Sequence, residues 1–205
     1  MLPIVIDVSR IRIALVGEGE RAERRLGLLE SAGALLVSRF HSSVAPETID
    51  FGHYTLVYVA GCDSETSGRI ARQARAKGCL LNVEDTRDLC DFHSPAVVRR
   101  GPLVLSVSTD GLVPGLAGVI AEYLGRIFPP VWATRMAFLA AKRRSLHALD
   151  ATHRDIREAF RHELQRRNWV PALPAPSNSH KELGNPPRGP LITASVDGGA
   201  APRRE

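Results

Sequence analysis

An apolar run followed at once by a glycine-rich turn constrains the fold of this chain more than any other feature. Residues 13–16, IALV, precede Gly17-Glu18-Gly19-Glu20-Arg21-Ala22, which has the pattern G-x-G-x-x-A. The segment ERAERRLGLLESAG has apolar residues at helical spacing and ends at Gly33, which predicts a strand, a turn and a helix. In that context the pattern is typical of a turn that binds the pyrophosphate of a dinucleotide.

The residues of this turn do not all favour an anion. Gly17 is expected to form the strand-to-helix turn, Gly19 to let the backbone approach the pyrophosphate, and Ala22 to keep the helix close to the sheet. Glu18 and Glu20 oppose this, because carboxylates repel phosphate unless they point to solvent. A plain tight turn is the alternative. We expect Glu18→Gly to tighten dinucleotide binding by about 1 kcal/mol, unless Glu18 points away from the phosphates or binds the ribose.

The second predicted strand ends in VSRF, where a typical NAD site has an acidic residue for the ribose hydroxyls. Ser38 can bond a hydroxyl and Arg39 can pair with a 2′-phosphate, so NAD is expected and NADP stays open. A solvated charge is the alternative for Arg39. The predicted cofactor-binding residues are Gly17, Gly19, Glu20, Arg21, Ala22, Ser38, Arg39, Ala60, Gly61, Cys62, Asn82 and Val83.

Strands and helices alternate along the first part of the chain. ALLVSRF follows the first helix as a strand, HSSVAPETIDFGH is a polar loop, and TLVYVA and CLLNV are strands on either side of a helix over 64–77. Strands that are apolar on both faces need cover on both sides. The sequence therefore predicts an α/β fold with a Rossmann-like, doubly wound parallel sheet.

Helical patterns dominate the remainder. The strand PLVLSVST precedes a helix over GLAGVIAEYLGRIF, Pro129-Pro130 interrupts the chain, and further helices are predicted at about 131–148 and 152–168. From residue 171 the chain is rich in Pro, Gly and Ser, which predicts a disordered tail. We expect an NAD(P)-binding domain over 1–112, a helical dimerisation region over 113–170 that makes a homodimer, and the tail over 171–205.

Composition narrows the function classes. The chain has 205 residues, 44% apolar content and a net charge of +5, enough for one ordinary core and suggestive of an anionic partner. Its basic groups lack interleaved aromatics, so nucleic acid is not expected. Cys62, Cys79 and Cys90 lack the spacing of a disulfide framework or zinc site and are interpreted as buried apolar residues. No run approaches the roughly 18 apolar residues of a membrane span, and no export signal is present, so we expect a cytoplasmic protein without membrane contact.

Several stretches together resemble the precorrin-2 dehydrogenases of sirohaem synthesis, a family that also forms the N-terminal module of sirohaem synthase. The resemblance covers roughly residues 2–124. Its most specific part is NVEDTRDLCDFHSPAVVRRGPLVLSVST, which is similar to the family's Asn-Val-x-Asp, Cys-Asp-Phe, Pro-Ala-x-Val and Gly-Pro-Leu runs in order and spacing. Glu18 replaces the middle glycine of the family's triple-glycine turn, and Asp110 replaces a residue that is usually glycine or asparagine.

The resemblance implies oxidation of precorrin-2 to sirohydrochlorin with NAD⁺, and in some members ferrous iron insertion. It places the family's key aspartate at Asp85, just past the end of a strand, where ligands bind in open α/β sheets. Asp85 is our candidate proton acceptor, and a structural turn aspartate is the alternative. His93 and Asp91 lack metal-ligand spacing, so no protein metal site is predicted.

The implied substrate is an anionic tetrapyrrole, precorrin-2 or its product sirohydrochlorin, which calls for basic residues. Arg99 and Arg100 are the first candidates and Lys142, Arg143 and Arg144 the second, with solvated surface charges as the alternative. The resemblance also implies a substrate loop at Ser108 and Thr109. A protein that binds dinucleotide or tetrapyrrole without turnover is the alternative function.

Overall fold

The structure is a computed structural model that describes residues 2–171, so the predicted tail lies almost wholly outside the described residues. The chain divides into two compact units, one ending at Thr152 and one beginning at His153. No helix in the described part of the chain is both long and apolar enough to cross a membrane.

A four-stranded parallel sheet with strand order β2-β1-β3-β4 organises the first unit. The prediction of a Rossmann-like α/β fold is confirmed, and the four strands and two helices predicted up to residue 83 are all present. The elements are β1 (Arg12–Gly17), α1 (Gly19–Ser31), β2 (Leu36–Phe40), β3 (Leu56–Ala60), α2 (Ser64–Ala76) and β4 (Leu80–Val83).

Alternate residues of the strands feed two separate cores, one on each face of the sheet. Ile13 and Leu15 of β1 pack in the core that contains Leu29 of α1. Ala14 and Val16 point to the opposite face, into the core that contains the buried side of α2. Both faces are therefore covered, as a parallel sheet requires.

The loop between β2 and β3 is more ordered than predicted. It forms two short 3₁₀ turns, Pro46–Thr48 and Phe51–His53. Phe51 is 1% exposed and packs with Ile49 in the core shared with α2. The two apolar side chains are separated by polar neighbours, which is why the sequence pattern hides a core segment within a polar loop.

A second sheet follows the parallel one. Strands β5 (Ala96–Arg100) and β6 (Leu103–Val107) pair antiparallel with each other and form a separate two-stranded sheet. β6 was predicted, whereas β5 was not, because its AVVRR sequence was assigned to the preceding loop. Helix α3 (Pro114–Ile127) packs on both strands. The predicted boundary at residue 112 lies between β6 and α3, which are in contact.

The two last predicted helices are present. Helix α4 (Trp132–His147) follows Pro129-Pro130 and completes the first unit. Helix α5 (His153–Arg166) belongs to the second unit. Within α5, the carboxylate of Glu163 is 7% exposed and lies 3.0 Å from Arg166 and 2.7 Å from Arg167, so its buried charge is paired.

Candidate dinucleotide and substrate site

The carboxyl ends of β1 and β3 approach so closely that only glycine fits there. Gly17 has φ 140°, and a Cβ on it would lie 1.7 Å from the carbonyl oxygen of Ala60. Gly61 has φ 75°, and its Cβ would lie 2.3 Å from the carbonyl oxygen of Glu18. A glycine at the end of β1 and a glycine directly after β3 thus keep the turn against the sheet.

The N-terminus of α1 is open to a ligand. Gly19 has φ 71°, and a Cβ built on it would meet nothing within 4 Å. The N-cap residue, Glu18, makes no side-chain hydrogen bond to the first helical turn, which leaves its N–H groups without a side-chain cap. Ala22 is fully buried and holds the helix against the sheet. This arrangement fits the pyrophosphate of a dinucleotide.

Glu18 does not direct its carboxylate at the helix N-terminus. Its backbone is extended, with φ −151° and ψ 176°, and its side chain reaches the loop that follows β2. There one carboxylate oxygen accepts a hydrogen bond from Ser42 Oγ and the other contacts His41 Nε2. The sequence-based expectation of a carboxylate beside the pyrophosphate therefore differs from the structure, because the extended backbone of the cap turns the side chain sideways.

A cleft of about 550 Å³ opens beside Glu18. It lies between the loop after β2, the end of β3 and the N-terminus of α2. Its lining residues are Glu18, Ser42, Ser43, Val44, Ala45, Pro46, Gly61, Asp63, Thr66 and Arg69.

The charged residues near the end of β2 are held by neighbours. Arg39 is half-exposed and its guanidinium binds the carboxylate of Glu23 on α1. Arg69 donates two hydrogen bonds to Glu47, at 2.6 and 2.7 Å. Ser38 is partly buried on β2 next to Arg39. An incoming 2′-phosphate would compete with Glu23 for the guanidinium of Arg39.

Asp85 lies at the carboxyl end of β4 and faces the first turn of α1. Its carboxylate is 70% exposed and lies 2.8 Å from Nη1 of Arg21. Asp85 adopts φ 58°, a left-handed conformation that aspartate tolerates better than most residues. The glycine turn and the candidate base, 64 positions apart in the chain, are thus brought together by one ion pair.

A second carboxylate beside Asp85 escaped the sequence analysis. Glu84 is 19% exposed, and its carboxylate lies 3.9 Å from both Arg21 and Arg24. Its Oε2 is buried and has no hydrogen-bond partner among the described residues. The sequence shows only that Glu84 and Asp85 directly follow a strand, and the fold is what brings the end of that strand beside Arg21 and Arg24.

Hydrogen bonds within the chain involve three of the predicted cofactor-binding residues, Asn82, Val83 and Cys62. The Asn82 amide donates to the carbonyl of Phe92 at 2.9 Å, and the Val83 N–H donates to Cys90 Sγ at 3.2 Å. Cys62 lies at the end of β3, where burial, aided by the charges of Asp63 and Glu18, raises the pKa of its thiol. A thiol with a raised pKa is a poor nucleophile at neutral pH.

The two arginines proposed for the substrate differ in their surroundings. Arg100 donates to the carbonyls of Phe128 at 2.6 Å, Gly125 at 3.1 Å and Arg99 at 2.8 Å, so it caps the end of α3. Arg99 is exposed. Arg99 is therefore the better candidate of the two, and Lys142, Arg143 and Arg144 all lie on α4.

The substrate loop predicted between β6 and α3 is a compact turn. Ser108 Oγ accepts from the N–H of Asp110 at 3.2 Å, and Thr109 Oγ1 accepts from the N–H of Val113 at 3.2 Å. Asp110 and Gly111 both have positive φ, 56° and 74°. The hydroxyls shape this turn.

The histidine and aspartate near Asp85 are not brought together as metal ligands. Asp91 accepts from Arg75 at 2.9 Å and from the N–H of Leu81 at 3.0 Å, which ties the loop to β4. His93 packs against Gly111, and its Nε2 is buried without a hydrogen-bond partner among the described residues. Within residues 2–171 no three His, Cys, Asp or Glu side chains are grouped as a metal site.

Comparison with known proteins agrees with this geometry. A family model described as NAD(P)-binding matches residues 4–96. Siroheme synthase of Methylobacillus flagellatus is 30% identical over 162 residues, covering 71% of this chain and 35% of the relative. Siroheme synthase of Methylococcus capsulatus is 33% identical over 157 residues, covering 68% of this chain and 33% of the relative. The chain spans about a third of the length of these curated relatives.

A solved structure shares the fold. SirC, a precorrin-2 dehydrogenase, aligns with a TM-score of 0.57 and 22% identity, covering 82% of this chain and 88% of that one. The region that the NAD(P)-binding family model matches, residues 4–96, includes the glycine turn, the cleft and the Glu84–Asp85 corner. The chain is therefore similar, over 68–71% of its length, to part of two siroheme synthases, and it has the fold of SirC.

Proposed function

We propose that this chain oxidises precorrin-2 to sirohydrochlorin with a nicotinamide dinucleotide, a step of sirohaem synthesis. The observation that carries the proposal is the ion pair of 2.8 Å between Arg21 and Asp85, which sets a carboxylate beside the dinucleotide turn. In this proposal residues 1–112 bind the dinucleotide and residues 113–170 form the helical dimerisation region.

In this proposal the chain binds the pyrophosphate of the dinucleotide and keeps repelling carboxylates away from it. The N–H groups of the first turn of α1, from Gly19 to Ala22, donate to the phosphates, and Gly17 and Gly61 keep the turn close to the sheet. When bound, the nicotinamide accepts the hydride that leaves a ring carbon of the substrate. We propose NAD as the cofactor, since Arg39 is engaged by Glu23.

Asp85 takes the proton that accompanies hydride loss. Its side chain is exposed toward the space where ligands bind at the carboxyl ends of parallel strands. A carboxylate can accept a proton as a general base. The ion pair also orients Asp85 relative to the turn, so proton acceptor and cofactor are positioned by the same helix.

The substrate's carboxylates need cations outside this corner. We propose Arg99 and the α4 residues Lys142, Arg143 and Arg144 for this role, since Arg100 is occupied at the end of α3. Ser108 and Thr109 shape the turn that precedes α3. Ferrous iron is a further substrate in this proposal, delivered to sirohydrochlorin after oxidation.

The proposal is tested with precorrin-2 under anaerobic conditions, with NAD⁺ or NADP⁺ supplied. The expected result is the sirohydrochlorin absorption spectrum together with stoichiometric reduced dinucleotide. Tight tetrapyrrole binding without oxidation would support instead a protein that binds without turnover. Adding ferrous iron to the sirohydrochlorin product then tests iron insertion on its own.

We also propose a homodimer. One side of α3 and the turn before it carries exposed apolar residues at helical spacing, among them Leu112 (69% exposed), Val119 (63%) and Tyr123 (64%). Glu122 and Arg126, both exposed, lie one turn apart along the same helix. A two-fold axis that lays two copies of α3 antiparallel would pair these opposite charges and cover the apolar side with a second copy of the chain.

The three free cysteines agree with a reducing compartment, and we propose the cytoplasm. Fractionation of cells that produce the tagged protein tests this location. Recovery with a membrane or exported fraction would contradict it.

A further inference from the structure

The unusual glutamate of the glycine turn has a use that the family pattern does not explain. We infer that Glu18 supplies the carboxylate that binds the adenosine ribose hydroxyls, and that it thereby selects a dinucleotide without a 2′-phosphate. This inference rests on the dinucleotide site of the proposed function. It concerns the half of the dinucleotide remote from the chemistry.

The position normally used for this purpose is not acidic here. In a typical NAD site an acidic residue at the end of β2, roughly 20 residues after the glycines, binds the ribose hydroxyls. In this chain β2 ends in Ser38-Arg39-Phe40. Glu18 lies on the turn after β1, but its carboxylate reaches the end of β2, because it contacts His41 and Ser42, the residues directly after that strand.

The carboxylate of Glu18 also borders a cleft that can accept the ribose. Glu18 lines the cleft of about 550 Å³ that runs from the loop after β2 to the end of β3, next to the N-terminus of α1. A carboxylate offers about four acceptor positions. Ser42 and His41 use two of them, so two remain for vicinal ribose hydroxyls.

The charges around the cleft oppose a phosphate. Glu18 and Asp63 both line it, and hydrogen bonds from Thr66 hold the pKa of Asp63 below its ordinary value, which keeps it ionised. Arg69, which also lines the cleft, is paired with Glu47 through two hydrogen bonds of 2.6 and 2.7 Å. A 2′-phosphate placed beside Glu18 would therefore meet like charge.

The test is a titration of the full chain with NADH and with NADPH, without tetrapyrrole. The parent is expected to bind NADH at least tenfold more tightly than NADPH. Glu18→Gln keeps the shape and removes the charge, so NADH affinity is expected to fall about tenfold, the loss typical of a hydrogen bond to a charged group. The NADH-to-NADPH affinity ratio is expected to fall by at least the same factor. Glu18→Gly is expected to weaken NADH binding.

Two further variants distinguish an effect of the Glu18 charge from an effect of order in the loop after β2. Glu30→Gln removes an equal charge from the far end of α1 and should leave both affinities unchanged. His41→Gln breaks one contact to Glu18 but keeps its carboxylate, so the NADH-to-NADPH ratio should be retained. If His41→Gln lowered the ratio as much as Glu18→Gln does, the effect would come from loop order, and the inference would be wrong.

Three further results would overturn the inference: a parent that prefers NADPH or binds neither dinucleotide, a Glu18→Gln variant with an unchanged ratio, or a Glu18→Gly variant with tighter NADH binding. The readout is distinct from that of the proposed function. Failure of precorrin-2 oxidation with the NADH preference intact would remove the proposed function and support the ribose contact alone.

Discussion

The parallel sheet and the β5–β6 hairpin with α3 differ in how completely their apolar surface is covered. In β1, Ile13 and Leu15 are at most 1% exposed, and helices cover both faces of the sheet. The hairpin of β5 and β6 packs against α3, with a smaller contact between β6 and α4, and α3 itself leaves Val119 and Tyr123 more than 60% exposed. The parallel sheet is thus complete in one chain.

The two regions therefore differ in what covers their apolar surface, which is packing within the chain for the first and, in our proposal, contact with a second copy for the second. The parallel sheet and its helices bury their core by intrachain packing, and the candidate dinucleotide site lies at the carboxyl ends of its strands. The hairpin and α3 retain an apolar side that a second copy would cover in our proposal. Mutations in the first region should therefore act on the free energy of unfolding, and mutations on the exposed side of α3 should act on assembly.

The largest stability loss is expected from Phe51→Ala. The side chain is 1% exposed in the core beside α2, and truncation of a buried phenylalanine typically costs about 3–5 kcal/mol. Urea unfolding at several protein concentrations measures it. Tyr123→Ala removes an aromatic side chain that is 64% exposed and should cost less than about 0.5 kcal/mol in the monomer. Equal losses of unfolding free energy for the two variants would show that the exposed side of α3 stabilises the monomer as much as the core does.

Gly61→Ala should cost somewhat less, about 3 kcal/mol, because its Cβ would collide with the Glu18 carbonyl at 2.3 Å in addition to the strain of φ 75°. Gly33→Ala is the matched control, since Gly33 has φ 87° but open space around its Cβ. It should cost only the conformational strain, about 1 kcal/mol. Thermal melting of both variants, with NADH binding alongside, checks this. Equal costs would show that the turn can move away from β3.

A smaller effect, about 1.5 kcal/mol, is expected from Arg100→Met. Its guanidinium holds the carbonyls of Phe128 and Gly125 at the end of α3, so its loss should loosen α3 on the hairpin. Hydrogen exchange of α3 amides measures the effect locally. Arg99→Met is the control for stability, because Arg99 is exposed, and protection of α3 should be unchanged by it. An unaltered exchange rate in Arg100→Met would contradict the capping role.

The smallest change in unfolding free energy, within about 0.5 kcal/mol, is expected from Val119→Gln on the exposed side of α3. The substitution should instead shift the protein from dimer to monomer in sedimentation experiments. Leu149→Gln, at a residue 77% exposed after α4, should leave the assembly unchanged. A monomeric parent, or a dimer that survives Val119→Gln, would contradict the proposed interface.

Local patterns predicted the parallel sheet well. Apolar strands, helical spacing and the Pro129-Pro130 break each depend on neighbouring residues only, and the structure places these elements where the patterns did. The strand β5 was missed because AVVRR is short and two of its five residues are charged. Its pairing with β6 depends on a partner strand and not on its own periodicity.

The candidate site was only partly predictable for the same reason. The glycine roles followed from the strand-turn-helix context. The contact of Glu18 with Ser42, and that of Arg21 with Asp85, join residues far apart in the chain, so no local pattern indicates them. The loss of Arg100 from the substrate candidates likewise depended on where α3 ends.

We propose that Asp85, held beside the dinucleotide turn by Arg21, accepts the proton during precorrin-2 oxidation. Single-turnover oxidation of precorrin-2 by Asp85→Asn tests it most directly, because asparagine keeps the shape and tolerates φ 58° but cannot act as a base. Thermal melting and NADH binding run alongside, and Asp88→Asn, an exposed aspartate three positions on, is the control. We expect a rate loss of about 10²- to 10⁴-fold with fold and NADH binding retained. A rate within about threefold of the parent, far from the loss of a base, would contradict the account.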